Sequence, residues 1–187
     1  MIQLRIHGRG GQGVVALAEI LAICAIREGK YAQAFPSFGP ERRGAPVVSY
    51  CRVAEEPIYT REPVQQPDIV LVLDSTVLRV VDVLSGLKPN GKLVVNACES
   101  PEDLAREHGC ENCLVATVDA SGIALRNMGR DITNTAMMGA LLKVETIVDP
   151  HNSAELIRTY FKDTSGKNVL SFWDAYRETQ VADFSLR

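Results

Sequence analysis

A glycine-rich turn near the amino terminus joins a short apolar stretch to a long helical pattern, and this junction constrains the fold most. Residues 2–7 predict a strand, and residues 14–28, dense in alanine, leucine and isoleucine, predict a helix. The glycines between them have G-x-G-x-x-G spacing, which suits a strand that turns sharply into a helix whose N–H groups favour an anion. The turn predicts a Rossmann-like domain with a ligand crevice, although turn geometry and packing alone would also explain the glycines. The crevice residues are Gly8, Arg9, Gly10, Gly11, Gln12 and Gly13.

The residues after this helix argue against an ordinary dinucleotide site. Such a turn is normally completed by a carboxylate about 20 residues further on, at the end of the second strand. The predicted second strand, residues 30–35, is followed by Pro36 and Ser37, and no Asp or Glu occurs between Glu28 and Glu41. No arginine stands at the strand end to suggest the phosphorylated dinucleotide. Binding of NAD(P) is therefore a minor alternative.

Composition narrows the class of protein further. The 187 residues suit one domain over residues 1–187, and 46% hydrophobic with 23% charged residues is typical of a globular protein. A net charge of −3 argues against a nucleic-acid partner. No apolar run approaches the ~20 residues of a membrane span. The chain begins directly with a predicted strand, and its five cysteines form no framework, so we expect a cytoplasmic protein.

Strand and helix patterns alternate along the rest of the chain. The fold class we predict is α/β: a single Rossmann-like domain with a mostly parallel sheet flanked by helices, and a helical carboxy-terminal third. Asp74 or Ser75 is expected to cap the helix predicted at residues 76–87, and Ser100 the next helix, with Pro101 in its first turn. Asn134, Asn152 and Ser153 are candidate caps further on. Further strands are predicted at 45–53, 69–73, 92–96 and 114–118, and helices at 76–87, from 101, and at 120–128, 135–148, 153–161 and 168–180.

A second informative segment covers residues 35–46, where three prolines and two glycines exclude regular structure. The segment also holds two phenylalanines and the pair Arg42 and Arg43, whose guanidinium groups suit phosphate or carboxylate, including acidic side chains of a partner. A rigid, solvent-exposed connection is the alternative. The residues predicted to contact a partner are Phe38, Gly39, Pro40, Glu41, Arg42, Arg43, Gly44 and Pro46.

Together the two segments resemble the gamma subunit of 2-oxoacid:ferredoxin oxidoreductases. The resemblance rests on residues 8–13, on residues 38–47, on Pro67–Asp74 with its buried-strand pattern, and on the Gly91-Lys92 turn. It runs at least from Ile2 to Asn96. The Arg42-Arg43-Gly44-Ala45-Pro46 version of the loop is similar to that of enzymes acting on pyruvate or branched-chain 2-oxoacids.

The resemblance implies a division of labour within a hetero-oligomer of alpha, beta, gamma and delta subunits. Thiamine diphosphate, Mg and iron–sulfur clusters would be held by partner subunits, the delta subunit being ferredoxin-like. The complex would decarboxylate a 2-oxoacid oxidatively, transfer the acyl group to coenzyme A and pass electrons to ferredoxin. The gamma subunit would pack against the thiamine-binding subunits and help form the coenzyme A access path. The resemblance therefore implies no catalytic residue and no metal ligand in this chain.

Other reactive side chains give no catalytic pattern. The spacing of His7, His108 and His151 suggests no nucleophile or carboxylate partner for any of them. The simplest interpretation of His7 is a core or turn residue. Cys110 and Cys113 form a C-x-x-C pair, but a metal site needs about four ligands and no second pair exists. The aromatic residues Phe172, Trp173 and Tyr176 predict a core or subunit contact. Two alternatives stay open: a free-standing nucleotide-dependent oxidoreductase, and a redox or metal module built on the two cysteines.

Overall fold

The computed structural model describes residues 1–37 and 44–185. Seven strands of these residues form one sheet. The sheet order is β2-β3-β1-β4-β5-β6-β7. The strands are β1 (Ile2–Arg9), β2 (Tyr31–Pro36), β3 (Pro46–Ala54), β4 (Ile69–Val72), β5 (Lys92–Asn96), β6 (Leu114–Val118) and β7 (Gln180–Asp183). The helices are α1 (Val14–Arg27), α2 (Pro101–His108), α3 (Ala120–Met128), α4 (Asn134–Val144), α5 (Pro150–Tyr160) and α6 (Lys167–Glu178), with a short 3-10 helix at Ser75–Arg79.

Strand directions confirm the predicted α/β class with a mostly parallel sheet. The central strands β1, β4, β5 and β6 are parallel to one another. Strand β3 is antiparallel to both β1 and β2, so β2 runs in the direction of the central strands. Strand β7 is antiparallel to β6 at the other edge. Five of the seven strands therefore share one direction, and their carboxyl ends meet at one edge of the sheet.

Two layers of different character cover the sheet. We call the side formed by α1 and α3–α6 the apolar layer, because its helices pack on alternate apolar residues such as Leu4, Ile6 and Leu71. The other side, formed by α2 and residues 75–88, is the mixed layer. There Val70, Val72 and their neighbours on β5 and β6 form a smaller apolar cluster. Strand β4 is buried on both faces, as its continuous apolar run predicts.

The predicted helix at residues 76–87 is wrong. Only Ser75–Arg79 is helical, as a 3-10 helix, and Asp74 caps it by accepting a hydrogen bond from the Thr76 N–H. The Nη2 of Arg5 donates to the carbonyl oxygens of Val83 and Ser85, at 2.8 and 2.6 Å. A residue on β1 thus bonds to the backbone of residues 83 and 85, and the sequence of residues 76–87 carries no trace of that partner.

The carboxy-terminal helices are present, but their boundaries and caps differ from those predicted. Asp149 caps α5 by accepting from the N–H groups of His151 and Asn152, so α5 starts earlier and contains Asn152 and Ser153. Helix α4 ends at Val144. Thr133, not Asn134, is the residue before α4. Ser100 does cap α2 as predicted, accepting from the Asp103 N–H at 3.1 Å.

The last helix stops at Glu178, and the chain then adds strand β7, which the sequence did not predict. Thr179 is extended, and its hydroxyl donates to the Ala175 carbonyl oxygen. The aromatic residues of α6 pack as a core contact: Phe172 is fully buried and meets Trp173 edge to face. Within residues 1–37 and 44–185, every helix is too short or too polar to cross a membrane.

Candidate functional site

The carboxyl ends of β1 and β4 define the candidate site. These strands are parallel neighbours, but β1 leads into α1 on the apolar layer and β4 leads into the 3-10 helix on the mixed layer. The chain therefore leaves the sheet on opposite sides at this point. In open α/β sheets, such a switch point is where a crevice forms and where ligands or partners bind.

The glycine-rich turn occupies this switch point. Gly13 precedes α1 with φ 82°, and a Cβ on it would overlap the Asn134 side chain at the start of α4. A Cβ on Gly8 would lie 2.6 Å from Cγ2 of Val14. Gly13 needs glycine for its backbone conformation and for packing, whereas Gly8 needs it for the packing of helix on strand. The geometric role that the sequence left open is therefore real at these two residues.

Side chains fasten the turn to the end of β4. Oε1 of Gln12 accepts a hydrogen bond from the Arg9 backbone N–H at 2.7 Å, and Nε2 of Gln12 donates to Oδ2 of Asp74 at 2.9 Å. Asp74 also accepts from the Thr76 hydroxyl. Burial alone would raise the pKa of Asp74, but hydrogen bonds from Thr76 and Gln12 and the charge of Arg9 outweigh it and lower the pKa. Asp74 is thus a fixed carboxylate that holds two loops together.

Arg9 connects the turn to the start of β3. Its Nη1 donates to the carbonyl oxygen of Gly44 at 3.0 Å, while Nε and Nη2 donate to the Thr76 hydroxyl. The backbone adds a second connection, because the Gly10 N–H donates to the Ala45 carbonyl oxygen at 3.0 Å. The antiparallel pairing of β1 with β3 sets Arg9 opposite Pro46. The two segments singled out from the sequence therefore meet at one edge of the sheet.

The structure describes only the two ends of the second segment. Its middle lies outside the described residues, namely Phe38, Gly39, Pro40, Glu41, Arg42 and Arg43. The flanking residues do lie at the site: the Ser37 N–H donates to the Val48 carbonyl oxygen, and Gly44 is exposed with φ 83°. Phe35 belongs to β2 rather than to a loop, and its ring packs on Tyr50 with centroids 5.3 Å apart.

Strand order gives a further reason against a dinucleotide site. In a dinucleotide-binding domain the second strand lies beside the first and carries the ribose-binding carboxylate at its end. Here β3 separates β2 from β1. The end of β2 therefore lies two strands away from the glycine turn. Strand β2 lacks both the carboxylate and the position beside β1 that a dinucleotide site needs.

Sequence reasoning missed the polar residues that complete this edge. Nδ2 of Asn96 donates to the Leu73 carbonyl oxygen and to the Ser121 hydroxyl, both at 2.9 Å. The Thr133 hydroxyl donates to the same Leu73 oxygen at 3.5 Å. The only signal in the sequence is a polar residue at the end of a buried strand, which Asn96 provides. Its partners become visible only once β4, β5 and α3 lie side by side.

The titratable groups near the site are structural. His7 on β1 is 3% exposed, and its Nε2 accepts from Nε of Arg5 at 3.1 Å. Burial, and then the charge of Arg5, lower the pKa of His7 to about 4. Asp119 caps α3 by accepting from the Gly122 N–H, and Asp68 accepts from the Gln3 N–H. These two aspartates therefore serve as a helix cap and as a turn residue.

The C-x-x-C pair lies on the mixed layer, away from this edge. Cys110 follows α2 and Cys113 precedes β6, so the pair is in a loop as the sequence predicts. Both thiols are free and buried. Among residues 1–37 and 44–185, no three His, Cys, Asp or Glu side chains come together in a way that could hold a metal ion.

Comparison with known proteins identifies the class. The sequence profile of the pyruvate ferredoxin/flavodoxin oxidoreductase family matches residues 3–178. The chain is 44% identical over 182 residues to the pyruvate/ketoisovalerate oxidoreductases common subunit gamma of Thermococcus kodakarensis, covering 97% of this chain and 98% of that protein. It is 46% identical over 179 residues to pyruvate synthase subunit PorC of Methanothermobacter marburgensis, covering 95% and 97%.

A solved structure agrees with the sequence comparisons. The crystal structure of pyruvate oxidoreductase subunit PORC from Thermotoga maritima matches with a TM-score of 0.86 and 34% identity, covering 97% of this chain and 98% of that one. The chain therefore belongs to the pyruvate ferredoxin/flavodoxin oxidoreductase family, as a gamma subunit of a 2-oxoacid:ferredoxin oxidoreductase. It is one subunit of a multi-subunit oxidoreductase complex. The resemblance drawn from the sequence is confirmed, and the free-standing nucleotide-dependent enzyme is not supported.

Proposed function

We propose that this gamma subunit works in the cytoplasm with alpha, beta and delta subunits to oxidise pyruvate or a branched-chain 2-oxoacid. The partners would hold thiamine diphosphate, Mg and the iron–sulfur clusters, coenzyme A would take the acyl group, and ferredoxin would take the electrons. Support comes from the loop version at Arg42–Pro46 and from relatives whose names specify pyruvate and ketoisovalerate. In this division of labour the chain supplies shape and contacts rather than a reacting group.

We assign the subunit contact to the β1–β4 edge. The observation that carries this assignment is the hydrogen-bond network in which Arg9, Gln12 and Asp74 fasten the glycine turn to the flank of the arginine-containing loop. A surface loop seldom needs such anchoring for the fold alone, whereas a recognition loop gains from rigid ends. Residues Phe38 to Pro46 would then contact the thiamine-binding subunits, and Gly8 to Gly13 would shape the adjoining crevice on the coenzyme A access path.

Among residues 1–37 and 44–185, the titratable groups His7 and Asp74 at this edge are poorly suited to acid–base chemistry. A general base works best with a pKa near the operating pH. The pKa of His7 is about 4, and its ring is buried against Arg5. Asp74 is committed to three hydrogen-bond donors on Gln12 and Thr76. These environments support a structural and assembly role.

The test is anaerobic purification of the tagged chain from its native host. We expect three co-purifying subunits, bound thiamine diphosphate and iron, and coenzyme A-dependent dye reduction with pyruvate or 2-oxoisovalerate. Reduction only with 2-oxoglutarate would contradict the proposed substrate class. A chain that purifies alone, with no activity restored by adding the host's soluble fraction, would contradict the partners.

The contact itself is tested with the double variant Arg42→Ala/Arg43→Ala in the complex. We expect weaker assembly, or a raised KM for coenzyme A, because two guanidinium groups would no longer meet the partner or the phosphate of coenzyme A. The matched control is Arg158→Ala, an exposed arginine on α5. Equal assembly and equal kinetics in both variants, with unchanged thermal unfolding, would show that the loop is not part of the interface.

A further inference from the structure

The C-x-x-C motif is the one sequence feature that the proposed function leaves unused. The two cysteines lie in what we call the cysteine turn, residues 109–113, between α2 and β6. Cys110 is 6% exposed and Cys113 is 3% exposed, and both are reduced. The two thiols lie close enough to each other to shift each other's pKa. Two neighbouring thiols that are separated by two residues in sequence are suitably placed to form an intramolecular disulfide.

The backbone holds the cysteine turn in this conformation. Asn112, between the two cysteines, has φ 61°, a left-handed turn conformation, and both cysteines line the same surface cavity. The Cys110 N–H donates to Ala105, the Asn90 N–H donates to the Asn112 carbonyl oxygen, and the Phe184 N–H donates to the Cys113 carbonyl oxygen, at 2.8–3.1 Å. These three hydrogen bonds hold the backbone that carries the two cysteines.

A route to the pair exists. A surface cavity of about 310 Å³ is lined by both cysteines and by Lys88, Pro89 and Asn112. Neighbouring groups differentiate the two sulfurs. The proximity of Cys110 lowers the pKa of the Cys113 thiol, and the proximity of Cys113, together with burial, raises the pKa of Cys110. We therefore expect the Cys113 sulfur to ionise and attack first.

Two other roles fit the geometry less well. Metal binding needs further ligands, and none joins the pair within the described residues. A thioredoxin-like pair lies at a helix amino terminus, whereas this pair follows the carboxyl end of α2, where the helix dipole disfavours a thiolate. The site therefore suits slow, reversible oxidation rather than rapid catalysis of disulfide exchange.

We propose that Cys110 and Cys113 are a modification site, a dithiol pair that small-molecule disulfides convert reversibly to an intramolecular disulfide. The Cys113 thiolate attacks the small disulfide, forms a mixed disulfide and releases one thiolate, which takes a proton from solvent. Cys110 then loses its proton to solvent and attacks the Cys113 sulfur, releasing the second small thiol. The protein loses two hydrogens and gains one S–S bond, and the small disulfide is reduced to two thiols.

The test treats the full-length native chain with glutathione disulfide and maps its tryptic peptides after alkylation under denaturing conditions. Cleavage after Arg106 and Arg126 leaves both cysteines on one peptide, residues 107–126, while Cys98 lies on another. We expect peptide 107–126 to lose two hydrogens, to resist alkylation, and to recover both thiols with a reductant. Full alkylation of this peptide after treatment, or stable glutathione adducts on both of its cysteines, would overturn the proposal.

Variants separate the roles of the two sulfurs. In Cys110→Ser we expect glutathione to remain trapped on Cys113, because no second thiol displaces it. In Cys113→Ser we expect little adduct on Cys110. The matched control is Cys98→Ser, which removes an exposed thiol and should leave the disulfide in peptide 107–126 unchanged. The reverse pattern of adducts would overturn the assigned order of attack, and wild-type peptide mapping decides the proposal even if a variant unfolds.

Discussion

The apolar layer and the mixed layer cover the same sheet but are stabilised in different ways. On the apolar layer, α1, α4 and α6 bury side chains such as Leu21, Met137 and Phe172 completely. On the mixed layer, the face of β1 presents Arg5 and His7, and hydrogen bonds replace apolar contact where no helix packs. The first layer is held by area removed from water, whereas the second combines a smaller apolar cluster with buried hydrogen-bonded groups, among which His7 Nδ1 has no partner within the described residues.

This difference explains why the candidate site lies where it does. Apolar packing tolerates substitution of similar volume, whereas a buried polar network depends on each partner. The polar residues of β1 continue from Gln3 and Arg5 through His7 to Arg9, which reaches the carboxyl edge. The candidate site therefore lies where the row of polar residues along β1 ends. Substitutions in the two layers should affect the protein in different ways.

The largest effect is expected on the apolar layer, from Phe172→Ala. Truncating this fully buried ring leaves a cavity between α4 and α6 and should lower the free energy of unfolding by about 3–5 kcal/mol. Urea unfolding followed by circular dichroism measures this loss. Leu170→Ala on the same helix is the control, because that side chain is 48% exposed and its loss should change stability by no more than about 0.5 kcal/mol.

On the mixed layer, His7 should make stability depend on pH. Its pKa of about 4 in the folded chain lies below the ordinary value of 6.5, so between these values the unfolded chain binds a proton that the folded chain does not. The contribution is complete above pH 6.5 and is lost as the pH falls towards 4, amounting to about 3 kcal/mol. Unfolding at several pH values compares the wild type with His7→Gln, which accepts a hydrogen bond but does not titrate. Equal pH dependence in both proteins would contradict this role.

A smaller effect is expected from Arg5→Met. The substitution keeps an apolar stem but leaves the Val83 and Ser85 carbonyl oxygens without their donor, at a cost of about 2 kcal/mol. It should also raise the pKa of His7, because the Arg5 charge is the second cause of its depression. Denaturant unfolding and titration of the His7 ring by NMR measure the two effects. Arg79→Met, on the exposed side of the mixed layer, is the control, and an equal loss in both variants would argue against the buried network.

The smallest effect on stability is expected at the site, from Gln12→Leu. Loss of the hydrogen bonds to the Arg9 N–H and to Asp74 should lower the free energy of unfolding by about 1 kcal/mol. Because these bonds anchor the proposed interface, assembly with the partner subunits should fall more than thermal stability does. Co-purification yield and melting temperature are compared with those of Gln66→Leu, an exposed glutamine outside the network. A normal yield would show that the anchoring is dispensable.

Prediction from sequence succeeded where the signal was local. The apolar run of β4, the Ser100 cap and the Pro101 start of α2 each depend on neighbouring residues, and each appears as expected. Prediction failed at residues 76–87, where the backbone carbonyl groups of Val83 and Ser85 bond to Arg5, a residue far away in sequence. Strand β7 was missed because it has four residues and little buried surface, so it shows no periodic pattern.

The candidate site also has some features that follow from the sequence and others that follow from the tertiary structure. The sequence by itself determined that a strand, a glycine turn and a helix open the chain, and that a second motif with two arginines follows. Only the tertiary structure decided that the two motifs meet, because β3 returns antiparallel beside β1 and sets Pro46 opposite Arg9. Backbone conformation follows from residues close in sequence, whereas the partners of Gln12, Asp74 and Asn96 follow from strand order. Strand order is fixed by burying both faces of the sheet at once, and that requirement acts on the whole chain.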